Sequence, residues 1–193
     1  MRIFTHLNGT TARYFGIVGD SKTSYAESLK MLLMGHTSVK WEISLSHAVA
    51  GWTVASALSG LAIAIAAAAH APEFVCVGLG TNEANDTPLP SQVVWESNYG
   101  SILDQIHATW HTAKLNVCKV WRGDASGAWL ANCATLNGYL DNVVVPRAAW
   151  TSIAHDESNW LPGWTIDNVH PAYHLSGGAE QARQWWDLIR TQI

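Results

Sequence analysis

The feature that most constrains the fold is a regular alternation of short apolar runs with longer segments of helical composition. This alternation is typical of βαβ units, in which helices connect the parallel strands of a sheet. The predicted strands are Arg13–Val18, Val39–Leu45, Phe74–Gly78, Asn116–Trp121 and Trp150–Ala154. The predicted helices are Thr23–Met34, Trp52–Ala69, Gln92–Thr112, Trp129–Val145 and Ser176–Gln192. The pattern predicts an α/β fold with three layers, α/β/α, around a five-stranded parallel sheet.

Length and composition favour one compact domain. The chain of 193 residues is long enough for one sizeable core, and no linker-like segment divides it. Hydrophobic residues make up 48% of the chain and charged residues only 13%, so the chain is expected to fold rather than remain disordered. Residues 1–193 are therefore predicted to form a single domain.

The distribution of charge and apolar residues limits the possible partners. The formal net charge is −4 and no block of Lys and Arg is present, so we expect no nucleic-acid binding. The apolar stretch from Thr53 to Ala71 approaches membrane-spanning length, but it is rich in alanine and interrupted by serine and glycine. A helix packed on the sheet is favoured over insertion into a membrane. The expected partner is a small molecule, and the oligomeric state stays open.

Cysteine usage and the N-terminus bear on the cellular compartment. Cys76, Cys118 and Cys133 do not have the spacing of metal ligands, and two of them lie in apolar runs. Inert core thiols are the expected interpretation, with a disulfide or a reactive thiol as the alternative. The first residues lack the apolar core of a signal peptide, so we expect a cytoplasmic protein unless a leader has been removed.

Polar residues follow the predicted strands at the sheet edge where α/β proteins bind ligands. The first strand is followed by Gly-Asp-Ser, and a later loop, "IDNVHPAYH", holds Asp167 and His170. A serine becomes a nucleophile when a base removes its proton and a third group orients that base. Ser21, His170 and Asp167 can fill these roles. Taken alone, the tripeptide is also explained by a turn or a helix N-cap.

Acyl transfer also needs hydrogen-bond donors for the oxyanion that forms on the carbonyl oxygen. The candidates are the backbone N–H groups of Ser21 and Gly51 and the side-chain amide of Asn82, which follow three different strands. Gly51 is equally compatible with a strand-to-helix turn, and Asn82 with a helix N-cap. The order of these residues along the chain carries more information than any one of them.

Four blocks of the sequence resemble the SGNH or GDSL hydrolases. They are "GIVGDS", "SHAVAGWT", "VGLGTNE" and "DNVHPAYHLSGGAEQA". The resemblance implies a flavodoxin-like SGNH hydrolase fold and a serine esterase with nucleophile Ser21, oxyanion donors Ser21, Gly51 and Asn82, and the pair Asp167 and His170. Three features depart from the family: Glu83 stands where an Asp usually follows the Asn, Ser46 stands where an Asn is frequent, and the residues after Ser21, "KTSYAES", lack a glycine that is common there.

The resemblance leads to an expected function and to its alternatives. We expect hydrolysis of a small-molecule ester or an acylated carbohydrate, with short acyl chains favoured and with no metal or organic cofactor. Trp52, Trp121, Trp164 and Arg122 are predicted to contact the substrate, although core packing and a surface ion pair are the competing explanations. The alternatives are a non-catalytic carbohydrate-binding module on the same fold, and an acyltransferase or thioesterase that uses the same site.

Overall fold

The backbone of the computed structural model is described for residues 11–20, 29–30, 33–34, 37, 39–120, 128–155 and 185–192. The five strands are β1 (Arg13–Gly19), β2 (Trp41–Ala48), β3 (Phe74–Gly78), β4 (Lys114–Cys118) and β5 (Thr151–His155). The longer helices are α1 (Val54–Ala67), α2 (Gln92–Thr109) and α3 (Ala128–Val144). Short 3₁₀ helices occupy Glu83–Asn85 and Val145–Arg147, and residues 185–189 are helical.

All five strands are parallel, and their order across the sheet is β2-β1-β3-β4-β5. The chain moves outward from β1 to β2 and then returns to the other side of β1 to form β3. Such a reversal creates a crevice at the carboxyl ends of the two strands that flank it. The predicted parallel sheet is confirmed, and the crevice lies between the ends of β1 and β3.

Alternate residues of the central strands face opposite sides of the sheet. In β3, Val75 and Val77 belong to a buried cluster that includes side chains of α1, α2 and α3. Phe74 and Cys76 belong to a second cluster that includes the helical residues Leu29, Leu33, Trp185 and Ile189. Because helical residues cover both faces, the predicted three-layer arrangement is confirmed.

Helix α1 comes from the longest apolar stretch and packs against the sheet. Val54, Ala57 and Leu61 are its buried residues, while Ile63 is 77% exposed. Gly60 permits a close approach to the sheet, because a Cβ atom there would lie 3.0 Å from Cε1 of His47. In the described part of the chain, no helix is long and apolar enough to cross a membrane.

Only β3 has the predicted limits; β1 and β5 differ from the prediction by one residue at one or both ends, and β2 and β4 differ by more. Strand β2 continues past Leu45 to Ala48, because Ala48 still pairs with Gly19 of β1. Strand β4 begins at Lys114, which pairs with Phe74, and it ends at Cys118 rather than at Trp121. Pairing with a neighbour defines a strand, whereas the prediction followed the apolar run. The predicted helices Thr23–Met34 and Ser176–Gln192 lie mostly outside the described residues.

The three cysteines are buried and none of them forms a disulfide, which confirms their prediction as core thiols. Cys118 also accepts a hydrogen bond from Nε1 of Trp185, with the two atoms 2.8 Å apart.

Candidate active site

The carboxyl end of β1 lies between the ends of β2 and β3. The backbone N–H of Asp20 donates to the carbonyl of Gly78 (3.1 Å), and the N–H of Val49 donates to the carbonyl of Gly19 (3.2 Å). Asp20 is only 1% exposed. The residue that precedes the predicted nucleophile is therefore anchored in the crevice between the strands.

Gly51 forms part of a tight turn directly after β2. The N–H of Trp52 donates to the carbonyl of Val49 at 3.2 Å, and Gly51 has a φ of 82°. A positive φ at the third position of a β-turn is typical of type II turns and favours glycine. A Cβ atom at Gly51 would meet nothing within 4 Å. The glycine is thus required for its backbone conformation, which is compatible with the predicted role of its N–H.

The side chain of Asn82 bridges the loop after β3 to the Gly51 turn. Its Nδ2 donates to the carbonyl oxygen of Trp52 at 2.8 Å. Asn82 stands at the N-cap position of the 3₁₀ helix Glu83–Asn85, but its side chain makes no capping hydrogen bond there. A carboxamide nitrogen carries two hydrogens, and one remains for a second acceptor.

Glu83 attaches the same loop to the start of α1. Its Oε1 accepts a hydrogen bond from the N–H of Val54 at 2.5 Å. The first N–H groups of a helix have no partner within the helix, and a carboxylate there is also favoured by the helix dipole. Glu83, which replaces the aspartate usual in the family, therefore places its carboxyl at the N-terminus of α1, directly after the Gly51 turn.

Burial makes the Glu83 carboxyl a weaker acid than an exposed glutamate. The residue is 3% exposed. Burial raises the pKa of Glu83 to about 7, and the nearby carboxylates of Asp20 and Asp86 act in the same direction, against the opposing effect of the bond from Val54. Glu83 departs from the family pattern, but its burial could not be predicted from the sequence, since a lone glutamate in a loop is usually exposed.

The raised pKa of Glu83 predicts that the free energy of unfolding falls as the pH rises. The pKa of Glu83 increases on folding from 4.5 to about 7, so the folded state binds more protons between these values. Over that window the carboxyl should remove about 3 kcal/mol from the free energy of unfolding. Urea unfolding at both ends of the window should show this loss in the wild type relative to Glu83→Gln. Parallel pH dependence in the two proteins would contradict the assignment.

The loops after β3 and β4 also lie in close contact. Gly80 has a φ of 111°, and a Cβ atom there would lie 2.6 Å from Cγ2 of Val120. On α3, Asn137 accepts from the N–H of Val120 at 2.7 Å and donates to its carbonyl at 3.0 Å. These contacts hold the backbone that leads into residues 121–127.

Trp52 is half-buried and packs on His47, with the two ring centroids 4.6 Å apart. His47 is itself buried, and its Nε2 lies 2.8 Å from the carbonyl oxygen of Ala57, to which it can donate. His47 thus has a structural role. The contact of Trp52 with substrate stays a prediction.

The structure brings Gly51 and Asn82 together through the backbone of Trp52. The other predicted site residues lie outside the described residues: Ser21, Trp121, Arg122, Trp164, Asp167 and His170. Their roles stay predictions. Within the described ranges, no cluster of three His, Cys, Asp or Glu side chains could hold a metal ion.

Comparison with known proteins identifies the fold. No family model matches the sequence, and no curated protein sequence matches it. Solved structures do match. Axe2, an acetylxylan esterase from Geobacillus stearothermophilus, is 14% identical with a TM-score of 0.74, and the alignment covers 93% of this chain and 95% of that one. A Clostridium thermocellum family 3 carbohydrate esterase is 16% identical with a TM-score of 0.72, covering 94% and 99%.

A Parabacteroides merdae protein described as a GDSL-like lipase is 16% identical, with a TM-score of 0.75 and coverage of 94% and 97%. The chain has the SGNH hydrolase fold. The fold expected from the four sequence blocks is therefore confirmed. At identities of 14% to 16%, the likeness establishes the shared SGNH fold.

Proposed function

We propose that the protein is a serine esterase that hydrolyses carboxylic esters through Ser21, His170 and Asp167. The observation that carries the proposal is the bridge from the Asn82 amide to the Gly51 turn, beside the end of the strand that leads to Ser21. Two of the expected oxyanion donors are thus part of one hydrogen-bonded unit. The fold of named esterases supports the same chemistry.

The proposed mechanism proceeds through an acyl-enzyme. His170 removes the proton of the Ser21 hydroxyl as its oxygen bonds to the ester carbonyl carbon, and Asp167 orients the imidazole. The N–H groups of Ser21 and Gly51 and the free N–H of Asn82 bind the oxyanion. The ester bond then breaks, and His170 protonates the departing alcohol. Water attacks the acyl-enzyme by the same steps, which releases the acid and restores the serine.

The proposed substrates are esters with short acyl groups, including acylated carbohydrates. Two matching structures are described as an acetylxylan esterase and a carbohydrate esterase, which supports this class. Trp52, half-buried on the turn, offers an indole that could contact an acyl group or a sugar ring. Trp121, Arg122 and Trp164 are proposed as further contacts on sequence grounds.

Acetyl and butyryl esters should be hydrolysed with higher kcat/KM than esters whose acyl chain has about eight or more carbons. The connections after β2 and β3 are short, and the sequence has no long insertion that could form a lipid tunnel. Each additional methylene that found apolar burial would gain about 0.8 kcal/mol. A steady rise of kcat/KM from acetyl to decanoyl p-nitrophenyl esters would contradict the short-acyl proposal.

A fluorophosphonate probe tests the proposed esterase directly. The probe forms a covalent bond with an activated serine hydroxyl and should label Ser21 in the folded protein. Ser24, three residues further along the chain, provides a matched control. Labelling should persist in Ser24→Ala and disappear in Ser21→Ala. A protein that binds acetylated sugars but is not labelled and hydrolyses no ester would instead be a carbohydrate-binding module.

A further inference from the structure

The segment that carries the predicted oxyanion donor Gly51 is attached to the β3 loop at two points. Asn82 donates to the carbonyl of Trp52, and the next residue, Glu83, accepts from the N–H of Val54. The two bonds flank one peptide segment and come from consecutive residues. The Gly51 turn is thus held between the end of β2 and the Asn82–Glu83 pair.

The Glu83 carboxyl is the ionisable member of this attachment. Its Oε2 is buried and has no hydrogen-bond partner among the described residues. In that part of the chain, the titratable groups that face Glu83 are Asp20 after β1, Asp86 after the 3₁₀ helix and the buried hydroxyl of Tyr99 on α2. Two of these are acidic side chains, so the described surroundings of Glu83 oppose its negative charge.

We propose that Glu83 is a positioning residue of the esterase site, whose carboxylate holds the Gly51 turn through Val54 and whose protonation loosens it. This inference rests on the proposed function, because the turn matters to catalysis only if the N–H of Gly51 binds the oxyanion. Glu83 acts through the backbone and does not touch the substrate.

The strength of the Val54 bond depends on the charge of Glu83. A hydrogen bond to a carboxylate is roughly twice as strong as one to a neutral carbonyl oxygen. The protonated acid still offers an acceptor oxygen, but a weaker one. Because burial raises the pKa of Glu83 to about 7, the two forms exchange near neutral pH. Ionisation of this carboxyl lowers the stability of the whole fold, but in the folded protein, where Glu83 stays buried, it strengthens the bond from Val54. Within the folded state the turn should therefore be held more firmly above that pH than below it.

The deciding experiment compares kcat of the wild type with kcat of Glu83→Gln across the pH range in which Glu83 ionises. Glutamine keeps the size and an acceptor oxygen for Val54 but cannot ionise. Dividing the two kcat values removes the titration of His170, which both proteins share. The ratio of the wild-type kcat to the Glu83→Gln kcat should be near one at low pH and rise to about five at high pH. The midpoint should lie at about 7.

A matched control is Glu96→Gln, which alters an α2 carboxylate that is bonded to Gln92 and Asn142. The ratio of the wild-type kcat to the Glu96→Gln kcat should be near one and independent of pH. A flat ratio for Glu83→Gln, in an enzyme that hydrolyses esters, would overturn the positioning role and leave the proposed function standing.

A second measurement needs no activity and separates the two proposals. The amide resonances of Gly51 and Val54 should shift with pH in the wild type, with a midpoint at about 7, and stay unchanged over that range in Glu83→Gln. Shifting amides in a protein without esterase activity would support the hold of Glu83 on the turn and refute the esterase. Amides that do not shift in the wild type would overturn the inference whatever the activity, even if the variant failed to fold.

Discussion

Ser21→Ala should lower ester hydrolysis at least about ten-thousandfold, because removal of the nucleophile prevents formation of the acyl-enzyme. The fold should persist, since a serine predicted at a strand end contributes little packing energy. Steady-state hydrolysis of p-nitrophenyl acetate measures the loss, and circular dichroism checks the fold. Turnover near that of the wild type would refute the proposed nucleophile.

The partners of Ser21 are tested by the same assay. His170→Ala should be comparably inactive, because the serine then has no base. Asp167→Asn should retain measurable activity, because the imidazole remains but is poorly oriented. If instead His155 or His174 proved essential and His170 dispensable, the proposed base would be wrong while the serine mechanism could stand.

The main features of the fold could be predicted from the sequence for a simple physical reason. A parallel sheet buried on both faces needs continuous apolar strands, and runs such as Phe74–Gly78 are easy to recognise. Parallel strands also bring their carboxyl ends to one edge, so residues after different strands, such as Gly51 and Asn82, were expected to be neighbours. The limits of β4 were missed because strand pairing extends to the exposed Lys114, which carries no apolar signal.

The finer features of the site could not be predicted, because they depend on backbone partners. Asn82 donates to the carbonyl of Trp52, an acceptor that every residue possesses and that leaves no pattern in the sequence. The burial of Glu83 depends on how α1 and the β3 loop meet. Its only signal was a glutamate in place of the usual aspartate. One more methylene in the side chain extends the reach of the carboxyl toward Val54.

Asn82→Ala should lower kcat by about a hundredfold with a smaller change in KM, because the amide would bind charge that develops only in the transition state. The same substitution removes the bond to the carbonyl of Trp52, which should cost about 1 kcal/mol of stability. Steady-state kinetics and urea unfolding measure the two effects separately. An unchanged kcat with a raised KM would assign Asn82 to substrate binding.

The loss in Asn82→Ala could also arise from movement of the loop, and Asn132 separates the two causes. Asn132 on α3 donates to the carbonyl of Ala84 at 3.0 Å, so it anchors the same loop to α3. Asn132→Ala should cost a similar amount of stability and leave kcat within about threefold of the wild type. An equal fall of kcat in both variants would assign Asn82 to loop positioning. A large fall in Asn82→Ala alone would support a direct bond from its second N–H to the oxyanion.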